Sequence, residues 1–570
     1  MICEIDFPDV DGGRLKKRFA HPHRVLLAYQ LDEVEAVITQ AEQFARDEHW
    51  VVGFVAYEAA AAFDDALQTR PAVEGRPLAA FAIYGYDEPP QDEAESIVVC
   101  GPWRMQDEQT TVAGGIDSIR HAIDRGDCYQ VNYTTRLQAK FDDEFWRLSA
   151  ALRAAQPDGY CVSIDGGDWQ LASVSPELFF DWTPDRTLTT RPMKGTSAGS
   201  AAVALKDSAK ERAENLMIVD LLRNDMARVA ETGSVQVASL FDVEVLPTAL
   251  QMTSTIRCTT KVDTTLLDAF RALFPCGSVT GAPKVAAMQA IAALESAPRG
   301  AYCGAIGLIR PNGHATFNVG IRSVSVDRRK GLATCGIGSG ITLDSTVTGE
   351  YEEWLIKRRF LLRATASFRL IETLRLESGN FWLLDGHLQR LQTSAQYFGF
   401  AFDQASILQS LHAVSGQHAK GLWRVRLLMD RNGCVQTESA VLEANPAKVS
   451  VALAFAPVDS KNEFLRHKTT ERSAYESHLP APDIFDVLLY NERGELTEFT
   501  RGNLVVELDG RRLTPKADSG LLPGVLRSAL LADGSISEAI IAVDDLKRAT
   551  RLWFVNSVRG ELPASLALAD

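Results

Sequence analysis

The pattern of this chain breaks once, near residue 365, and that break decides how many bodies it can form. A helical pattern from about Glu350 to Ala364 gives way at once to a strand, Phe368 to Leu376. A hairpin turn at Ser378-Gly379-Asn380 and a return strand, Phe381 to Leu384, follow. No Gly/Ser-rich or Pro-rich tether lies between the two patterns. A chain of 570 residues is too long for one hydrophobic core, so roughly two to four domains are expected. The expected division is 1–365 and 366–570.

The first half mixes helical and strand patterns. Leu31 to Phe44 has helical spacing, and Trp50 to Tyr57 is a β-type run. A helical pattern runs from Gly114 into a stop at Gly126-Asp127, and Cys128 to Leu137 then alternates as a strand does. A helix beginning near Lys206 carries the apolar stretch Met217 to Leu222. Phe270 to Leu294 reads as helix, Gly-rich loop and helix, with Pro283 suited to the first turn of the second. Three strands follow, Tyr302 to Ile309, Ala315 to Val326 and Leu332 to Thr342, separated by turns at Pro311-Asn312-Gly313 and Asp327 to Gly331. After the break come a helix, His387 to Phe398, strands at Trp423 to Met429 and Val449 to Ala456, and an α/β stretch. The class is α+β and multidomain.

Composition excludes several roles. A net charge of -15 argues against nucleic acid as a partner, and it means that an anionic substrate needs a local cation to bind. The nine cysteines include no Cys-x-x-Cys pair, which fits reduced thiols and a cytoplasmic location. No segment has the roughly 18 uninterrupted apolar residues of a membrane span, and Met1 to Val10 carries acids where a signal peptide is apolar.

Several residues carry chemistry. Lys194 stands in Arg191-Pro192-Met193-Lys194-Gly195-Thr196, read as a Pro/Gly-bounded turn. The pairs Glu211/Glu214 and Glu350/Glu353 are each spaced i,i+3 within helical patterns, so each places two carboxylates on one helix face. Carboxylates without His or Cys neighbours favour a hard cation such as Mg²⁺. Gly277 to Lys284 invites a phosphate-loop reading, but it is one residue short and Ala-Pro separates Gly281 from Lys284. Such a turn entering a helix can still meet an anion, and Gly336-Ile337-Gly338-Ser339-Gly340 lets a ligand approach backbone closely. Taken singly, each of these reads as a solvated helix face or a tight turn.

Taken in order, they do not. Cys128 to Asn132, Arg191 to Thr196, Glu211 to Asp225, Phe274 to Lys284 and Gly336 to Lys357 together resemble the chorismate-utilising enzymes, over roughly residues 1–365. The resemblance implies a large antiparallel β-sandwich with surrounding helices, and Mg²⁺. It implies Glu214 and Glu353 as metal ligands with Glu211 and Glu350 nearby, and Arg322 and Lys357 as the grip on chorismate's carboxylates. Thr196, Tyr302 and the backbone at Gly340 would line the same pocket. Members that use water have a lysine where this chain has Gln130; anthranilate synthases have a small residue where Lys194 stands. Lysine there resembles the aminodeoxychorismate-forming members, in which it attacks C2 before ammonia displaces it at C4. Desolvation lowers the cost of neutralising such a lysine. Gln251 departs from the family: relatives usually carry a histidine there, and an amide cannot donate a full proton near neutral pH.

The second half resembles the fold-type IV, class IV pyridoxal-phosphate enzymes, over roughly 367–570, on His387 to Leu391, His467 to Thr470, Leu496 to Leu504 and Thr514 to Arg527. The resemblance implies Lys468 as the lysine that carries pyridoxal 5'-phosphate and Glu498 as partner of the pyridine nitrogen. Arg390, the helix start at Gly524-Val525-Leu526, and Asn556-Ser557 would hold the phosphate. A homodimer through this domain is part of the same expectation. Together the halves imply formation of aminodeoxychorismate and its conversion to 4-aminobenzoate, with ammonia or a separate glutamine amidotransferase subunit as nitrogen source. Two alternatives stay open at this level. One is an anthranilate synthase-like half joined to an aminotransferase-like half, and the other has one half non-catalytic and regulatory.

Overall fold

The computed structural model describes residues 1–9, 12–87, 98, 100–197, 208–246, 249–365, 368–460, 462–478 and 480–567. The chain divides into two compact units, Met1–Ser367 and Phe368–Asp570. Among the described residues no helix is long and apolar enough to cross a membrane, and the nine cysteines are all unpaired.

The first unit is a two-layer sandwich. Among the described residues one sheet has nine strands and the other ten, every pair antiparallel. Cys3, Ile5, Phe7 and Phe19 from the first sheet pack with Val52, Phe54, Ala80 and Ile306 from the second. Phe19 meets Tyr84 at 4.9 Å and Phe54 meets Trp169 at 5.5 Å between ring centres. The outer faces are covered too: the helix Leu31–Arg46 lies in one apolar cluster, and the helices Gln109–Asp124 and Phe145–Ala155 lie in another. Strands such as Trp50–Val55 and Ala79–Tyr84 are therefore buried on both faces and read as continuous apolar runs, without alternation.

Four local expectations are corrected. Ala315 to Val326 is two strands, Ala315–Val319 in the ten-stranded sheet and Ser323–Asp327 in the nine-stranded one. The chain crosses between layers at Gly320-Ile321-Arg322, where Arg322 takes a left-handed φ of 50°. The stretch read as one helix is two, Val347–Lys357 and Arg359–Thr365, because the N–H of Arg358 turns back to Trp354 and Ile356. Lys194 lies on a strand, Met193–Ser197, paired with Ala249–Thr259 and bulged between Lys194 and Thr196. The return strand after the second-unit hairpin is only Asn380–Phe381, ended by Leu383 at φ 55°.

The second unit holds two sheets. An antiparallel sheet of four strands contains Leu370–Glu377, Leu422–Met429 and Val435–Val441 besides Asn380–Phe381. A mixed sheet of eight begins with Leu496–Phe499, which pairs with both Asp486–Tyr490 and Gly502–Leu508. That double pairing closes six of its strands into a barrel around Val451, Leu488, Leu504 and Phe554.

Candidate active sites

The first-unit residues singled out above converge on one cavity of about 100 Å³: Lys194, Glu211, Glu214, Tyr302, Arg322, Gly340, Glu350, Glu353 and Lys357 all line it. Thr196 pairs through its backbone with Gln251, which lines the cavity; the Thr196 side chain falls outside the described residues. Two helices deliver the carboxylates. Ser208 caps Ala209–Ala227 by accepting from the N–H of Glu211, and Thr346 caps Val347–Lys357 by accepting from Gly349. These caps start the helices where Glu211/Glu214 and Glu350/Glu353 face the cavity. Glu350 accepts from the Ser339 hydroxyl, which accepts from the indole N–H of Trp354 at 2.7 Å.

Cations line the same cavity. Lys357 pairs with Glu353 at 2.7 Å and donates to the carbonyl of Gly338 at 2.9 Å. Lys194 Nζ donates to the carbonyl of Ser278 at 3.1 Å. Arg322 is buried, its guanidinium lies 5.2 Å from the Phe360 ring centre, and its Nη1 has no hydrogen-bond partner among the described residues. Burial pulls its pKa down to about 10. A buried guanidinium with no acid partner is costly unless an anion arrives. At Gly340 a Cβ would stand 1.9 Å from Nε2 of Gln130 and 3.1 Å from Nζ of Lys194, so a side chain there would displace the Gln130 amide and crowd the lysine amine.

One buried acid in this cavity was not singled out from sequence. Glu177 lines it, accepts from the N–H of Met193 at 3.3 Å, and is pushed up from the usual carboxylate range by burial, partly offset by Ser278 and the charge of Lys194. It has no i,i+3 partner to mark it.

The donors suit Mg²⁺ in kind, since all four carboxylates offer oxygen. Among the described residues, however, no three His, Cys, Asp or Glu side chains stand close enough together to hold one ion.

The second-unit residues meet around a separate pocket of about 280 Å³ lined by Lys468, Glu498, Arg390, Gly524, Val525, Asn556 and Ser557. The backbone of Lys468 is pinned beside the strand Leu370–Glu377: its carbonyl accepts from Ile371, and Thr470 donates to Arg369, each at 2.9 Å. Burial, with the charge of Arg390, draws the Lys468 amine down to about 8. Burial lifts Glu498 to about 8; it accepts from the Tyr475 hydroxyl at 2.9 Å and the Leu522 N–H at 3.1 Å. Arg390 is held bidentately by buried Glu372, at 2.9 and 2.6 Å, and His387 contacts the same carboxylate at 2.6 Å. Gly524 caps Val525–Ala532, and a Cβ there would stand 1.9 Å from Oδ1 of Asn503.

Two calls need qualification. The Leu526 side chain packs with Val505, Leu530 and Val555 and does not line the pocket, so only its backbone can serve a ligand. The Asn556 side chain is engaged locally: Oδ1 accepts from Val558 and Arg559, and Nδ2 donates to the carbonyl of Arg501. The rest fits a phosphorylated aldehyde cofactor: an amine that loses its proton readily, a buried acid opposite, and an arginine with a glycine-opened helix N-terminus.

Comparison with known proteins agrees with this division. Residues 14–363 match the family described as chorismate binding enzyme, and the chain belongs to that family. Residues 369–567 match the family described as amino-transferase class IV, which implies pyridoxal phosphate. Aminodeoxychorismate synthase component 1 of Escherichia coli K12 is 35% identical over 277 residues, 47% of this chain and 60% of that protein. Anthranilate synthase component 1 of Streptomyces coelicolor is 34% identical over 302 residues, 51% of this chain and 56% of that protein. Anthranilate synthase component I from Streptococcus pneumoniae superposes with a TM-score of 0.51 at 25% identity, covering 63% of this chain and 90% of that one. The chain spans about half the length of the curated relatives it matches.

Proposed function

We propose that the chain carries two consecutive activities: amination of chorismate to 4-amino-4-deoxychorismate in the first unit, then elimination to 4-aminobenzoate and pyruvate in the second. The observation that carries the reading is Lys194 sharing one cavity with the uncompensated Arg322 and four helix-borne carboxylates. Ammonia would come from free ammonium or a separate glutamine amidotransferase subunit.

Arg322 and Lys357 bind the substrate carboxylates, and Tyr302 and Gly340 shape the wall beside them. Mg²⁺, held by Glu214 and Glu353 with Glu211 and Glu350 nearby, would supply positive charge at the ring carboxylate as the 4-hydroxyl leaves. The Lys194 amine attacks C2, and both ring double bonds shift by one bond towards C4. The C4 hydroxyl departs as water, taking a proton from an acid, and the new C2–N ammonium gives up a proton. Glu177 is the candidate for the proton on the hydroxyl, since burial keeps its carboxyl protonated to higher pH than usual and Gln251 has none to give. Ammonia then bonds to C4, both double bonds return, and the C2–N bond to Lys194 breaks as a proton passes from the new C4 ammonium to the lysine.

In the second unit, pyridoxal phosphate supplies an electron sink conjugated to the substrate amine. Lys468 holds the cofactor and moves the C4 proton. Glu498, fixed by Tyr475 and Leu522, would pair with the ring nitrogen, and Arg390 with the N–H groups at Gly524 and Val525 would hold the phosphate. The test is incubation of the chain with chorismate, Mg²⁺, pyridoxal phosphate and ammonium. Release of 4-aminobenzoate and pyruvate, identified by mass, is expected; anthranilate, or amino transfer to a keto acid, would overturn the reading.

A further inference from the structure

We infer that the pocket around Lys468 selects an amine bearing two carboxylates, and that Arg472 inside the pocket, with Arg559 and Arg424 nearer its rim, makes that selection. The inference rests on the lyase reading above and names the residues that fix its substrate class.

Five arginines line this pocket. Two are neutralised by acids: Arg390 by Glu372, and Arg501 by Asp486 at 3.1 Å. The other three have no carboxylate partner among the described residues. Arg472 is half-buried and well fixed, but by neutral groups: its Nη2 donates to the carbonyl of Thr500 at 2.7 Å, and its guanidinium stands 4.4 Å from the Tyr475 ring centre. A carbonyl and a ring face hold a guanidinium in place without cancelling its charge. Arg559 is likewise held by a neutral group, with Nη1 donating to the amide oxygen of Asn445 at 3.2 Å. Arg424, on Leu422–Met429, is exposed at the rim. The field of Arg472 reaches the reacting groups, since it is among the charges that draw the Lys468 amine down.

The first unit supplies the chemical reason. There, Arg322 is likewise backed by an aromatic ring and left without an acid. Replacing the C4 hydroxyl of chorismate by an amine leaves both carboxylates in place, so the second pocket must bind the same two anions. A guanidinium already oriented and still uncompensated loses little on binding a carboxylate and gains a charge-assisted hydrogen bond.

The experiment uses full-length holoprotein and its Arg472→Gln, Arg472→Lys and Arg559→Gln variants. Two readouts are the KM and kcat for aminodeoxychorismate, and displacement of the cofactor absorption band by isophthalate against benzoate. In the parent, isophthalate should bind at least about tenfold more tightly than benzoate. Arg472→Gln should erase most of that preference and raise KM about tenfold or more, with the cofactor still bound at one per chain. Arg472→Lys should recover part of the loss, and Arg559→Gln should weaken isophthalate but not benzoate. Should Arg472→Gln fail to hold cofactor, Arg559→Gln decides. Unchanged KM and an unchanged isophthalate preference in the variants would overturn the inference while leaving the lyase reading intact. A parent that prefers isophthalate but does not turn over aminodeoxychorismate would overturn the lyase reading alone.

Discussion

Lys194 is anchored to the carbonyl of Ser278 at 3.1 Å, so its amine can be removed without disturbing Arg322 and Lys357, the proposed grip on the substrate. Lys194→Ala should abolish 4-aminobenzoate formation while chorismate binding survives, and slow formation of a 2-amino product is the expected residue of activity. Lys194→Arg keeps charge without a nucleophile and should be equally inactive; an active Arg variant making 4-aminobenzoate would show that the lysine acts only as a clamp. A second residue-scale prediction concerns Lys468. Only a neutral amine attacks an aldehyde, and the pKa of this amine is lowered to about 8. The rate at which cofactor-free protein reloads should therefore rise with pH and level off above about 8, followed by the cofactor's absorbance. Spacing or a turn signature marked Lys194 and the two glutamate pairs in the sequence, whereas Arg322, Lys357, Lys468 and Glu498 were reached only through the resemblance to known families. Glu177 carries no such mark, since an acid in the stretch Trp169 to Trp182, which also holds Asp181, looks like any other until burial and the nearby charge of Lys194 give it meaning.

Elements differ in how much they rest on one contact. The helix Leu384–Phe398 meets the strand Leu370–Glu377 through Glu372, which joins His387 and Arg390 on the helix. Burial would raise this carboxyl, but the charges of Arg390 and His387 outweigh it and hold it at about 2. A depressed pKa contributes stability that is present above the unfolded value, about 4.3, and lost only as pH falls towards 2. Lowering the pH from 7 to 5 should thus leave this contribution intact. Glu372→Gln should destabilise the second unit by on the order of 2–3 kcal/mol, towards the lower end for a broken buried pair, because it leaves the half-buried Arg390 without its counter-charge; denaturant unfolding of the variant checks this. Helix and strand positions were legible from period and turn residues, such as Gly379 at φ 81° in the hairpin. Where a strand changes sheet was not: Ala315–Val319 and Ser323–Asp327 both alternate apolar and polar residues, and that period does not record which layer a strand joins.

For the whole molecule, two separate pockets predict two separable failures. Lys468→Ala should stop 4-aminobenzoate formation and let aminodeoxychorismate accumulate, seen by mass in the reaction mixture, because the first pocket is untouched. Glu353→Gln should do the reverse: it removes one oxygen donor and the partner of Lys357, so Mg²⁺ dependence and chorismate consumption should fall while supplied aminodeoxychorismate is still converted. The division itself was legible from the change of pattern near 365, whereas the cavity walls were assembled from strands far apart in sequence. The passage at Gly320-Ile321-Arg322 gives the sandwich a further property. A carboxylate gripped by Arg322 acts as a rivet at the point where the chain threads from one layer to the other. Chorismate should therefore slow amide exchange in Ala315–Val319 and Ser323–Asp327 together, stiffening both layers through a single bound molecule.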